Sequence, residues 1–288
     1  MTVTSVAHDQ KRSKKTGGRK PLLPLDKDIK VRITAMTKKV IYYFAKKGIK
    51  VIDEYHDGKY GAPGMKRDKK TKLTREQMQK VNDWNKTKRC QLRLLEYFHP
   101  GDLFATLTYE VRNRPADMKE AKGHFQKMIA KIRRQYAKRG YELFWIRNIE
   151  QGTKGAWHIH LAINEIGDTA SILKDAWPYG AIYLSEIRRN DKVYDEDFSK
   201  LAAYLTKTSR TSYRKKDGEL GKSRVKASSY STSRNMPLPK PKVKRLVRWK
   251  KEAKPEKGFY IAKIHEGINP ATGYKYRRYT MVKLDRRI

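Results

Sequence analysis

The chain has 288 residues, with 68 Lys and Arg against 30 Asp and Glu, a formal net charge of +38. An excess of that size, spread along the whole length, exceeds what solubility requires and points to a polyanionic partner, with nucleic acid ahead of an acidic membrane surface. No apolar run reaches the roughly 20 residues that span a bilayer, the first residues lack the apolar stretch of a signal peptide, and the single cysteine, Cys90, excludes an internal disulfide and a zinc site of paired cysteines. The expectation is a soluble, cytoplasmic protein with no membrane partner.

Residues 1–28 read as a disordered basic arm, and 29–99 as a basic N-terminal extension. Within the latter, "VIYYFAKKGIKVIDEYHDGKYGAPGMKRDKKTK" is β-prone and then rich in Gly, Pro and Lys, which fits a hairpin or an extended lid. Thr74 with Gln77 has capping-box spacing, and Met78, Val81, Leu92 and Leu95 follow among charges, predicting one long or two short amphipathic helices. "HPGD" ends them, and a core of 100–212 begins.

"LFATLTYE" predicts a strand with Phe104, Thr106 and Thr108 on one face. Asp117 and Glu120 start a helix whose stripe runs Met118, Ala121, Phe125, Met128, Ile129, Ile132 and Tyr136 as far as Gly140. "YELFWIRNIE" and "AWHIHLAINE" are two strands joined by "QGTKG", an antiparallel hairpin. A helix "TASILKDAW", a strand "AIYLSEI" and a helix "DEDFSKLAAYLTKTS" complete the run. The predicted class is α+β, an antiparallel sheet in the ferredoxin-like order βαββαβ with helices on one face. Residues 213–288 form a basic C-terminal extension, mobile over 213–257 without a partner and closed by a β-hairpin around "NPATG".

Alternation along a strand aims His158 and His160 the same way, and two neutral imidazoles so placed can share a metal ion. Seen alone, an H-x-H pair serves packing equally well. With the turn centred on Thr153 or Lys154, Glu150 falls opposite residues 157–158 and can share their face. One carboxylate with two imidazoles suits Mg²⁺ or Mn²⁺ with open positions for water and a phosphate oxygen. On the last helix Tyr204 and Lys207 lie three apart, beside the buried stripe of Phe198, Leu201, Ala202 and Leu205. A tyrosine near an ammonium and a metal ion can attack a phosphodiester, because the cation favours phenolate and the metal polarises the phosphate.

Three blocks in this order, "FATLTY" at 104–109, "HIH" at 158–160 and "YLTK" at 204–207, resemble the motifs of HUH-type rolling-circle replication initiators. The likeness covers roughly residues 75–212 and is nearest to initiators of filamentous and small single-stranded DNA phages and related plasmid or integrative elements. It implies an HUH endonuclease core with His158, His160 and Glu150 as metal ligands, Tyr204 as nucleophile and Lys207 as its basic partner. Some phage initiators carry a second tyrosine four residues on; Thr208 stands there, and Tyr213 lies outside the pattern. The resemblance implies nicking of single-stranded or hairpin origin DNA, a 5′-phosphotyrosine and a 3′-OH for a host DNA polymerase. The basic arms and "YKYRRY" would hold DNA through phosphate contacts and stacking. No G-x-x-x-x-G-K-[ST] loop is present, so unwinding falls to a host helicase or to supercoiling. A conjugative relaxase or single-strand transposase shares this chemistry, and a non-catalytic DNA- or RNA-binding protein shares the charge.

Overall fold

The computed structural model describes residues 37–58, 63–187, 196–211, 213–214, 220–221 and 224–284. The basic arm expected over 1–28 lies outside them. Strands β1 (Thr37–Phe44) and β2 (Ile49–His56) form a hairpin whose tight turn ends at Gly48, a left-handed position with φ 65°. A side chain at Gly48 would also meet Lys283 Cβ at 2.9 Å. Helix α1 (Arg75–Tyr97) is one continuous helix, and its N-terminus carries the full capping box between Thr74 and Gln77. Leu92 and Leu95 are buried, whereas Met78 and Val81 on its first half are exposed.

The core follows as β3 (Leu103–Thr108), α2 (Met118–Lys138), β4 (Trp145–Gly152), β5 (Trp157–Ile163), α3 (Thr169–Ala176), β6 (Ile182–Glu186) and α4 (Ser199–Thr206). Asp117 caps α2 by accepting from Glu120 N, but Glu120 turns its carboxylate to Ala116 N. Two short strands, β7 (Tyr213–Arg214) and β8 (Leu220–Gly221), precede β9 (Val225–Thr232), β10 (Lys242–Leu246), β11 (Phe259–Asn269) and β12 (Tyr274–Lys283).

The core sheet runs β6-β3-β5-β4-β9, every neighbour antiparallel. Its first four strands have the ferredoxin-like order, so the fold is α+β as the pattern predicts. Leu103, Ala105, Leu107, Ile159 and Leu161 on one face pack against Phe125, Met128 and Ile132 of α2 and Leu173 of α3. The opposite face presents Ile146 and Ala162 to a second cluster made by Leu92, Leu94 and Leu95 of α1 and Leu201, Ala202 and Leu205 of α4. The expectation of helices on one face is therefore corrected. Both faces of β4 and β5 carry buried side chains, and each needs an apolar cover.

A second antiparallel sheet, ordered β10-β1-β2-β12-β11, joins the two ends of the chain. Phe44, Ile49, Val51 and Val282 from it share the cluster of α1 and α4, so one continuous apolar layer ties this sheet to the core. The expectation that 213–257 is mobile without a partner is also corrected: β9 completes the edge of the core sheet beside β4, and β10 pairs with β1. The Ser- and Lys-rich composition hid this because an edge strand buries little and meets its sequence-distant partner through backbone hydrogen bonds. The terminal hairpin forms around 270–273 as predicted.

Candidate active site

The β4–β5 turn sets the site. Gly155, at φ 78°, donates to Gly152 O at 2.9 Å, and Gly152 donates to Ala156 O at 2.8 Å. That turn places Glu150 directly opposite His158 and Asn148 opposite His160, while β3 lays Thr106 against His160 and Thr108 against His158 from the other side. The period of two puts all of these on the face that α4 covers.

Glu150 Oε2 is the centre of the cluster, with His158 Nε2 at 3.1 Å, His160 Nε2 at 3.6 Å and Lys207 Nζ at 3.0 Å. Its other oxygen accepts from Asn148 Nδ2 at 2.8 Å, and the same amide nitrogen reaches Lys207 O at 3.2 Å. Thr106 Oγ1 is 3.2 Å from His160 Nδ1. An Nδ1–H donated there leaves the Nε2 lone pair for a metal ion or the phenolic proton. The Tyr204 hydroxyl is 3.1 Å from that Nε2, and Phe104 stacks on the imidazole with 6.0 Å between centroids.

Helix α4 is fixed at both ends. Phe198, just before it, adopts left-handed backbone at φ 56°, which a side chain tolerates only where packing over-determines it; its ring is fully buried in the second cluster. Asp197 accepts from Ser199 N and from the Thr280 hydroxyl, and Gln91 of α1 donates to its carbonyl. At the far end Thr206 Oγ1 lies 2.7 Å from Thr87 Oγ1 of α1. The helix ends at Thr206, so position 208, one turn beyond Tyr204, is already outside it. Tyr213's side chain falls outside the described residues.

Burial alone raises the Glu150 carboxyl, but hydrogen bonds from His158 and His160 and the charge of Lys207 outweigh it and hold the group down at about 2. Burial lowers His160 and keeps it neutral, as a ligand must be. Burial and the Glu150 charge push the Tyr204 phenol up to about 12. Lys207 Nζ lies 3.9 Å from the Tyr204 ring centroid while bonding Glu150. The expectation that this ammonium favours the phenolate is corrected: its charge is spent on the carboxylate, and the phenol stays protonated at neutral pH.

All five residues singled out by sequence thus converge. Glu150, His158 and His160 offer ligand atoms within 4.8 Å of one another, and one carboxylate with two imidazoles, one of them half-buried, can hold a divalent metal and leave positions open. Sequence reasoning passed over Asn148, although a polar residue two before Glu150 in an apolar strand has the same face by alternation, and it gave Thr106 no role.

Residues 102–209 match the family model for the replication-associated protein ORF2. The match supports a replication-initiator family for this part of the chain, and it spans every residue of the cluster from Thr106 to Lys207. Comparisons with curated proteins and with solved structures found no match.

Proposed function

We propose that the protein is a site-specific single-strand DNA endonuclease and strand transferase that initiates rolling-circle replication through a 5′-phosphotyrosine, the HUH reaction. One observation carries the reading: the hydroxyl of Tyr204, 41 % exposed, stands 3.1 Å from His160 within a buried carboxylate–imidazole cluster. The match to replication-associated proteins and the charge of +38 support origin DNA as the substrate.

In this reading the Tyr204 oxygen forms a bond to phosphorus, the bond to the 3′ oxygen breaks, the phenolic proton leaves to solvent, and the 3′-OH becomes a primer for host polymerase. Attack by a 3′-OH on the phosphotyrosine reseals the strand. Mg²⁺ or Mn²⁺ held by Glu150, His158 and His160 would polarise the phosphate and offset the carboxylate charge that keeps the phenol protonated. Lys207 neutralises Glu150 and offers a second cation to the phosphate. Unwinding is assigned to a host helicase.

The test uses supercoiled origin DNA with Mn²⁺ and denaturing gels. The wild type should nick and remain covalently attached, and Tyr204→Phe should bind DNA but form no adduct. An undiminished adduct in the variant moves the nucleophile elsewhere; no adduct in the wild type across metals and substrates leaves a DNA-binding protein without this chemistry.

A further inference from the structure

The segment "YKYRRY" does not meet DNA in the way its composition suggests. Arg277 is buried against Glu54 (Nε–Oε2 2.7 Å), Tyr279 donates to the same carboxylate at 2.7 Å, and Arg278 pairs with Asp53, as does Lys88. Those cations are neutralised inside the second sheet and its contact with α1. What the segment leaves open is Tyr276, whose ring lies across β11 where Gly267 makes room; a Cβ there would come within 2.9 Å of the Tyr276 hydroxyl.

Tyr276 is one wall of a cavity of about 610 Å³ between α1 and the β11–β12 hairpin, a size typical of small-ligand sites. Trp84 of α1 lies 6.3 Å from Tyr276 and 6.1 Å from His265, centroid to centroid, and the Arg278 guanidinium sits 3.3 Å from the centre of the Trp84 ring. Trp84 remains 37 % exposed, while Trp145, Trp157, Trp177 and Trp249 are buried. Lys80 and Asn85, on the same helix, line the cavity with no hydrogen-bond or ion-pair partner among the described residues. An aromatic wall, a free ammonium and a free amide are the groups that take a base by stacking, its phosphate by charge and its edge by hydrogen bonding.

A basic strap leads to the mouth. Asp68 N and Thr71 N donate to Gly273 O and Pro270 O, which lays residues 68–71 along the β11–β12 turn. This places Lys66, Arg67, Lys69, Lys70 and Lys72, with Asp68 the one acid among them, beside the Leu73, Pro270 and Ala271 rim. The charge is complementary to a phosphate backbone.

We propose that this cavity is a second nucleic-acid site, which takes an unstacked base of single-stranded DNA against Trp84 and Tyr276 and its phosphates on Lys80 and the strap. The proposal rests on the reading above that the bound polyanion is DNA, and it separates strand holding from the Tyr204 chemistry.

The test is binding of a labelled single-stranded oligonucleotide to the full chain, followed by anisotropy and by tryptophan fluorescence. The wild type should show quenching, because one tryptophan is exposed. Trp84→Ala should lose the quench and weaken binding by about 5- to 100-fold, the range for one base–aromatic stack. Lys80→Glu, at an exposed position, should weaken binding with the fold intact, and covers the case in which Trp84→Ala fails to fold. Unchanged affinity in Lys80→Glu together with an unchanged quench in Trp84→Phe overturns the site. Wild-type protein that forms the Tyr204 adduct but shows no quench overturns the cavity alone; protein with neither adduct nor oligonucleotide binding overturns both readings.

Discussion

Glu150 and His158 face each other directly across the β4–β5 hairpin, with Oε2 and Nε2 3.1 Å apart. The same carboxylate oxygen also holds Lys207 at 3.0 Å, so a divalent ion bound there competes with an ammonium for one oxygen. Lys207→Met should therefore tighten Mn²⁺ binding measured by calorimetry while slowing nicking. Unchanged or weaker Mn²⁺ binding would show that Lys207 does not compete at this carboxylate.

Thr106 acts on the metal site through His160, whose Nδ1 it meets at 3.2 Å. Thr106→Val keeps the shape and removes the oxygen that fixes the ring. Its Mn²⁺ affinity should fall about 10- to 100-fold, the usual cost of losing such a support. Full affinity in the variant would mean the ring is held by packing against Phe104 alone.

Acid should find Glu150. Its carboxyl sits at about 2 in the fold against 4.5 ordinarily, and it is 1 % exposed. A depressed folded value contributes stability that is present above pH 4.5 and drains away as pH falls towards 2. The contribution is on the order of 3 kcal/mol without added metal. Urea midpoints taken with chelator at pH 6, 4 and 2.5 should fall more steeply for the wild type than for Glu150→Gln; parallel curves would refute the assignment.

The Glu54–Arg277 pair, 2.6 Å apart and almost wholly buried, stands between the two ends of the chain. Removing one partner strands the other, so Arg277→Ala should cost about 3–5 kcal/mol in urea unfolding. Glu54→Gln combined with Arg277→Met should recover a large part of that loss. A double variant as unstable as the single one would show that packing, and not the stranded charge, sets the cost.

Cys90 is fully buried, and burial pushes its thiol up to about 12. Labelling with a thiol-specific disulfide reagent should proceed only as fast as the chain opens, and become immediate in urea. Rapid labelling under native conditions would place Cys90 outside the packed layer.

Local pattern carried much of the structure. Alternation in "WHIHLAI", the Gly-bounded turn before it and the stripe of α2 are short-range rules, and they set the strand, its register and the aim of both histidines before any packing is considered. The same rules placed Tyr204 beside, and not within, the buried stripe of α4. Beyond that range they said little. Strands at 37–56 find partners some two hundred residues on, β9 closes the edge of the core sheet, and Lys207 turns to Glu150 instead of the phenol. Which cation neutralises which carboxylate, and which strand covers which edge, depends on distances that exist only once the chain has closed. Sequence by itself determined the elements and the direction of their side chains. Tertiary structure decided the partners, because burial makes an unpaired charge or an unpaired strand edge too costly to leave alone.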